Sequence, residues 1–247
     1  MNKTIQQAML WPTPIWYTTV SNLIKNEENI SFNESLTSWV KDQMKKNKSV
    51  IKSNKGGWQS NLCKPEGGFE PLVKEIKEFC SNLPLNLKEI SITQLWVNVN
   101  KKGDWNTIHQ HGDHDLSGTY YVKTPKDCGC IVFRDPRPAA ISNRLMSIRF
   151  DKGEIFYKNI EEGLLLVWPS YLDHFVEPSK TDEERISISF DIKATKKGEN
   201  MGISRSQMTK QVEGQLSGAK DEKKQKKKKL QVKKPNRKNA LSRTFTV

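Results

Sequence analysis

Histidine is scarce in this chain, four residues in 247, and cysteine is equally so. No apolar run approaches the roughly 18 residues that a membrane-spanning helix needs, so a membrane protein of that kind is excluded. The N-terminus holds a lysine but no continuous apolar segment ending in small residues, and no secretory signal is expected. Without one, Cys63, Cys80, Cys128 and Cys130 are expected to be free thiols in a reducing, cytoplasmic compartment. Cys128-Gly129-Cys130 reads as part of a tight turn between strands, Asp127-Cys-Gly-Cys130, before it reads as a redox or metal pair. Nothing repeats at the scale of tens of residues, which sets aside solenoids and propellers.

Acidic residues are missing where basic ones are densest. The formal net charge is +13, and residues 196–247 account for nearly all of it, with 16 Lys/Arg against 4 Asp/Glu. Residues 1–195 hold 25 basic and 24 acidic side chains and are close to neutral. The chain therefore reads as one domain, residues 1–195, with a lysine-rich appendage, residues 196–247. The appendage has few apolar residues and a run from Lys223 to Lys229 broken only by Gln225, so it is expected to be largely disordered. A flexible lysine run supplies non-specific, salt-sensitive affinity for phosphates, which makes nucleic acid a candidate partner of the tail. No aromatic residues interleave that run, which argues against base stacking. A solubilising or partner-docking extension fits the same composition.

Within the domain the periodicity changes once. Residues 9–20, rich in aromatic and β-branched side chains and holding two prolines, read as an irregular entry into an edge strand. From Asn33, Leu36, Trp39, Val40 and Met44 fall on one face of a short helix, with Trp39 as its core anchor. Residues 52–62, with a glycine pair, read as a loop. A second helix follows Pro71, with Leu72, Val73, Ile76, Phe79 and Cys80 spaced for burial. After Pro84 the pattern is that of strands, at residues 95–100, 118–122, 129–133, 145–150, 154–157, 164–168 and 185–192. Many short strands behind two helices predict a mainly β fold, a small barrel or jelly roll of the cupin type.

Three of the four histidines, His109, His111 and His114, lie within residues 103–122. On an extended strand, residues i and i+2 share a face, so His109 and His111 can converge on one point. A third ligand arriving from a distant strand, His174, completes three points on one side of a metal and leaves the other side open. That arrangement suits non-haem Fe(II) used with oxygen. His114 reads as a solvated loop residue. His111-Gly112-Asp113 keeps a second ligand set open, His111, Asp113 and His174. Arg185, Ser187 and Ser189 share one strand face, with Ile186, Ile188 and Phe190 on the other. An arginine facing a barrel interior needs a carboxylate, either a ligand's or that of an acidic neighbour.

These motifs, in order, resemble a family. Gly103-x5-His109-x-His111, residues 116–122, Phe133-Arg-Asp-Pro-Arg137, Pro169-Ser-Tyr-Leu-Asp-His174 and residues 185–190 are similar to a family of 2-oxoglutarate/Fe(II)-dependent oxygenases found in bacteria and marine phages. Trp11-Pro-Thr-Pro-Ile-Trp16 and Gly56-Gly-Trp-Gln-Ser60 resemble it too, so the likeness covers roughly residues 9–192. The resemblance implies a double-stranded β-helix with Fe(II), 2-oxoglutarate and O2. It implies His109 and His111 as the recurring metal pair, with His174 the distal ligand. It also implies Arg185 as the 2-oxoglutarate cation, with Ser187 and Tyr121 as hydrogen-bonding neighbours, and a host cytoplasm if the gene is a phage's. Such an enzyme couples oxidative decarboxylation of 2-oxoglutarate to oxidation of a substrate C–H bond.

Other residues are assigned from the sequence with alternatives open. Arg137 contacts substrate or braces a turn, and Tyr171 lines the entrance. Asn98 and Asn106 hold the histidines as hydrogen-bond donors or cap loops, while Trp105 and Trp168 serve packing. Two other function classes stay open: a cupin-like metal protein that does not use 2-oxoglutarate, and a nucleic-acid-associated protein acting through its basic tail. The cupin class draws on Gly163-x5-Pro169, although Tyr171 stands where a glycine is expected.

Overall fold

A computed structural model describes residues 12–20, 31–142 and 153–196. The chain divides into two units, Met1–Lys197 and Gly198–Val247, and the second lies wholly outside the described residues. The candidate strand at 145–150 and the disorder expected of the tail also fall outside them.

Strand β1 (Trp16–Thr19) is followed by α1 (Phe32–Lys46). Ser31 and Glu34 form a reciprocal cap at its start: the Glu34 N–H donates to Ser31 Oγ, and the Ser31 N–H donates to Glu34 Oε2 at 2.8 Å. Lys45 and Lys46 occupy the last turn, where positive charge opposes the helix dipole. The buried stripe is Phe32, Leu36 and Val40, spaced by four. Trp39, expected as the anchor, is half-buried and packs edge-on against Phe69 with ring centroids 5.3 Å apart.

Strands β2 (Asn54–Lys55) and β3 (Trp58–Gln59) flank Gly56 and Gly57, whose φ of +70° and +66° glycine alone adopts without strain. At Gly57 a side chain would also lie 2.7 Å from the Val99 carbonyl oxygen. Helix α2 (Glu70–Ser81) starts with Pro71 in its first turn and buries Leu72, Val73, Ile76 and Cys80.

The remaining strands are β4 (Leu87–Asn100), β5 (Trp105–His109), β6 (Leu116–Lys123), β7 (Ile131–Arg134), β8 (Glu154–Tyr157), β9 (Leu164–Pro169), β10 (His174–Val176) and β11 (Arg185–Lys196). One sheet runs β1-β9-β6-β11-β4-β3 and the other β2-β5-β10-β7-β8, and every strand pairing within them is antiparallel. This is the double-stranded β-helix that the family resemblance implies, a form of the jelly roll expected from the strand pattern. The turn expected at Asp127-Cys-Gly-Cys130 begins one residue earlier, at Lys126–Asp127, and both thiols are buried.

Alternation assigns the two faces of the larger sheet different tasks. Leu95, Val97 and Val99 of β4 and Ile186, Ile188 and Phe190 of β11 join the helices' apolar residues in the main core. The opposite face turns Asn98, Arg185, Ser187 and Ser189 toward a cavity that β5 and β10 of the other sheet also line. A smaller apolar cluster around Tyr121, Phe133, Leu166 and Trp168 packs beside it.

Candidate active site

Strand β5 ends at His109 and β10 begins at His174, and the ladder sets these two residues directly across from each other. A turn through residues 170–173 carries the chain into a short strand of its own, and His174 is its first residue. His111 lies two residues beyond the end of β5. Its N–H donates to the Ser170 carbonyl at 2.9 Å, and Ser170 donates its hydroxyl to the His114 carbonyl. Buried Ser170 thus ties the two histidine-bearing segments together.

Each of the three rings has its Nδ1 engaged by an acceptor. His109 donates to the Thr107 carbonyl at 2.7 Å, His174 to the Leu172 carbonyl at 2.9 Å, and His111 to Asp191 Oδ1 at 2.7 Å. A neutral imidazole with its proton on Nδ1 keeps a lone pair on Nε2. Potential ligand atoms of the three rings all lie within 4.8 Å of one another. Nε2 of His111 is buried and has no hydrogen-bond partner. Burial, followed by repulsion from its neighbouring histidines, pushes the His174 pKa down to about 3, and burial also lowers that of His109. Both rings are therefore neutral near pH 7, the form in which imidazole binds a metal. Trp96 stacks on His111 at 5.6 Å, and Trp168 meets His174 edge-on at 4.9 Å.

Asp113 is exposed and stands outside this cluster, so of the two ligand sets the sequence left open the structure assembles the three-histidine one. His114 departs from its expected solvated state: its side chain is only 12% exposed, with Nδ1 3.8 Å from Asp191 Oδ2. Asp191 was missed in the sequence. It is buried, accepts from both His111 and Ser117, and continues the same-face series Arg185, Ser187, Ser189 by one step. Extending that alternation two residues would have found it.

Arg185 lies toward the other end of that face and is 3% exposed. Among the described residues its side chain forms one hydrogen bond, a long one of 3.5 Å to the Gly129 carbonyl, and its Nε has no partner there. No acidic side chain among the described residues forms an ion pair with it, so the acidic neighbour that the sequence allowed is absent. Instead its guanidinium carbon sits 5.6 Å from the centre of the Tyr121 ring. Burial drives the Tyr121 phenol up to about 12, leaving it a hydrogen-bond donor at neutral pH. The histidine cluster, Arg185, Tyr121 and Ser187 line one cavity.

The other sequence assignments divide. Asn98 and Asn106 line the cavity but do not hold the histidines: they donate to Ser189 Oγ at 3.0 Å and Ser53 Oγ at 3.1 Å. Trp168 packs as expected, though its indole N–H is buried without an acceptor, and Trp105 is 37% exposed. Arg137 grips Asp135 with two hydrogen bonds of 2.9 and 2.7 Å and braces the turn after β7. Tyr171 is 53% exposed and, like Arg137, does not line this cavity.

Comparison with known proteins follows this geometry. Residues 94–191 match the model of a family described as "Putative 2OG-Fe(II) oxygenase". No curated protein matches the sequence. Among solved structures, the non-heme alpha ketoglutarate dependent carbocyclase SnoK from nogalamycin biosynthesis is similar, with 10% identity and a TM-score of 0.52 over 73% of this chain and 79% of that one. The epimerase SnoN from the same biosynthesis gives 13%, 0.51, 72% and 76%, and a Pseudomonas putida prolyl-4-hydroxylase gives 13%, 0.49, 72% and 92%. At these identities the first two establish the fold alone. The family match spans β4 to β11 and contains all three histidines and Arg185. The chain carries the activity of that match: it is an oxygenase that uses Fe(II), 2-oxoglutarate and O2.

Proposed function

We propose that this 2-oxoglutarate/Fe(II)-dependent oxygenase holds its iron through Nε2 of His109, His111 and His174, and grips the far carboxylate of 2-oxoglutarate with Arg185. Two orphaned buried atoms support the fit, Nε2 of His111 and Nε of Arg185. The first is a lone pair with nothing to bind, and the second a charged donor with no acceptor. Leaving such groups unpaired inside a protein costs about 1–3 kcal/mol each, more for a charge, so a ligand that satisfies both at once is the economical explanation.

With metal and keto acid bound, O2 converts 2-oxoglutarate to succinate and CO2 and supplies the oxidant for a substrate C–H bond. The chain's own residues bind, orient and shield. The Arg185 fork matches a carboxylate in two-pronged geometry, and Tyr121 and Ser187 offer hydroxyls beside it. The Thr107 and Leu172 carbonyls and the Asp191 carboxylate hold the imidazoles in the tautomer that frees Nε2. Asp191 also sets a negative charge behind an otherwise neutral ligand set. Trp96 and Trp168 close over two of the rings and keep water from their outer faces. The free thiols support a reducing, cytoplasmic setting.

The single observation that carries this reading is a buried arginine, without a counter-ion among the described residues, in the same cavity as three convergent histidines. A cupin-like metal protein that ignores 2-oxoglutarate gives that arginine no purpose. Succinate release with Fe(II), 2-oxoglutarate and O2 tests it: wild type should turn over, and His174→Ala and Arg185→Ala should fall by at least about a hundredfold. Turnover that survives both changes rules the assignment out.

A further inference from the structure

A second, more open cleft of about 560 Å3 adjoins the histidine cluster. Ser53, Trp96, His109 and His111 wall both cavities, so the two meet at the rings. If the inner cavity takes the co-substrate, the outer cleft faces whatever is oxidised.

The outer wall carries three carboxamides, Gln59, Gln94 and Gln110. Gln59 is the most informative: the residue is only 7% exposed, yet its carboxamide opens on the cleft and forms no hydrogen bond with another described residue. Its backbone is fixed on both sides. The N–H donates to Ser49 Oγ at 3.0 Å, the carbonyl accepts from the Val50 N–H at 2.9 Å, and the residue pairs with Asn98 in the ladder. Trp58 before it turns into the core, and alternation turns Gln59 to the cleft. A carboxamide that opens on the cleft without a protein partner, carried on a strand fixed on both sides, is a recognition group waiting for its complement.

The complement follows from its chemistry. A carboxamide offers an N–H donor and a carbonyl acceptor side by side. An amide answers both, a carboxylate only the donor, an ammonium only the acceptor. The cleft's charges do not favour an ion: Lys52 and Asp113 are exposed and of opposite sign, and the Asp191 carboxylate is already engaged by His111 and Ser117. One lysine also serves a phosphate backbone poorly. Leu62, 63% exposed, gives the cleft an apolar contact.

We infer that the outer cleft binds an uncharged amide of the primary substrate, either a peptide group or a carboxamide, and that Gln59 recognises it. The inference rests on the oxygenase reading. The full-length protein is loaded with Fe(II) and 2-oxoglutarate without oxygen, and the metal-to-ligand charge-transfer band is recorded. N-acetylalanine N-methylamide, propanamide, propanoate and propylammonium are then added separately, and succinate release is followed once oxygen is admitted. At least one amide should perturb the band and raise succinate release by at least about tenfold over propanoate and propylammonium. Gln59→Leu and Gln59→Glu should form the band but lose that preference. A response to the capped amino acid alone points to a peptide, and a response to propanamide points to a small carboxamide. A band with no amide preference, with no response to any probe, or with a preference that survives both Gln59 variants overturns the inference. If no band forms, the oxygenase reading itself fails and the inference falls with it.

Discussion

Asp191 accepts a 2.7 Å hydrogen bond from Nδ1 of His111, and that ring's other nitrogen is left buried without a partner. The carboxylate fixes both the tautomer and the aim of the imidazole, and it is held in turn by the Ser117 hydroxyl at 2.7 Å.

Asp191 is accordingly a positioning residue for the metal. Asp191→Asn keeps the shape but removes the charge and can present an N–H where an acceptor is needed. Affinity for Co(II), titrated by its visible absorption, should drop by about 10–100-fold, while the unfolding midpoint of the metal-free protein moves far less. Unchanged Co(II) affinity would remove Asp191 from the site.

Arg185 has a thermodynamic signature of its own. A buried guanidinium without a counter-ion weakens the protein when alone, and a bound dicarboxylate relieves it. With redox-inert Zn(II) present, 2-oxoglutarate should raise the melting temperature of wild type and leave that of Arg185→Gln nearly unmoved. An equal rise in both proteins contradicts the pairing.

The pH dependence of the metal-free protein follows from His174. Its folded pKa, about 3, lies below its ordinary 6.5 because of burial. Between those values the unfolded chain binds a proton that the folded chain refuses, so stability rises with pH across the window and is lost as pH falls from 6.5 toward 3. The urea midpoint of metal-free wild type should be lower at pH 5 than at pH 7, and His174→Gln should flatten that slope. The same slope in both proteins would show that other groups carry it.

Gly118 tests the packing between the core and the cavity wall. A Cβ there would lie 2.3 Å from Phe190 Cζ and 2.6 Å from the Leu166 carbonyl oxygen. Gly118→Ala should lose about 1–3 kcal/mol in denaturant unfolding, and Phe190→Leu in the same chain should restore part of it. No loss, or no recovery, would mean that the sheet gives way more easily than its spacing suggests.

Much of this was legible in the sequence because it is local. The capped start at Ser31, Pro71 in a first turn and the alternation of β4 and β11 are written within a few residues each. The same-face series from Arg185 to Ser189 was legible, and its next member, Asp191, was passed over because no histidine stands near it in the chain. The partners of Asn98 and Asn106 were not legible, since Ser189 and Ser53 reach them only through strand register. His114 misled for a similar reason. It reads as a loop residue, yet the turn after β5 folds it against Asp191 of a strand far along the chain. Long-range pairing decides such contacts, and turn chemistry does not announce it.

The convergence of three imidazoles on one ferrous ion is tested most directly by anaerobic Fe(II) titration of single variants. One site should be found in wild type, His109→Ala, His111→Ala and His174→Ala should each weaken it by at least about a hundredfold, and Asp113→Ala should leave it intact. Loss of binding in Asp113→Ala with retention in His109→Ala would contradict the account.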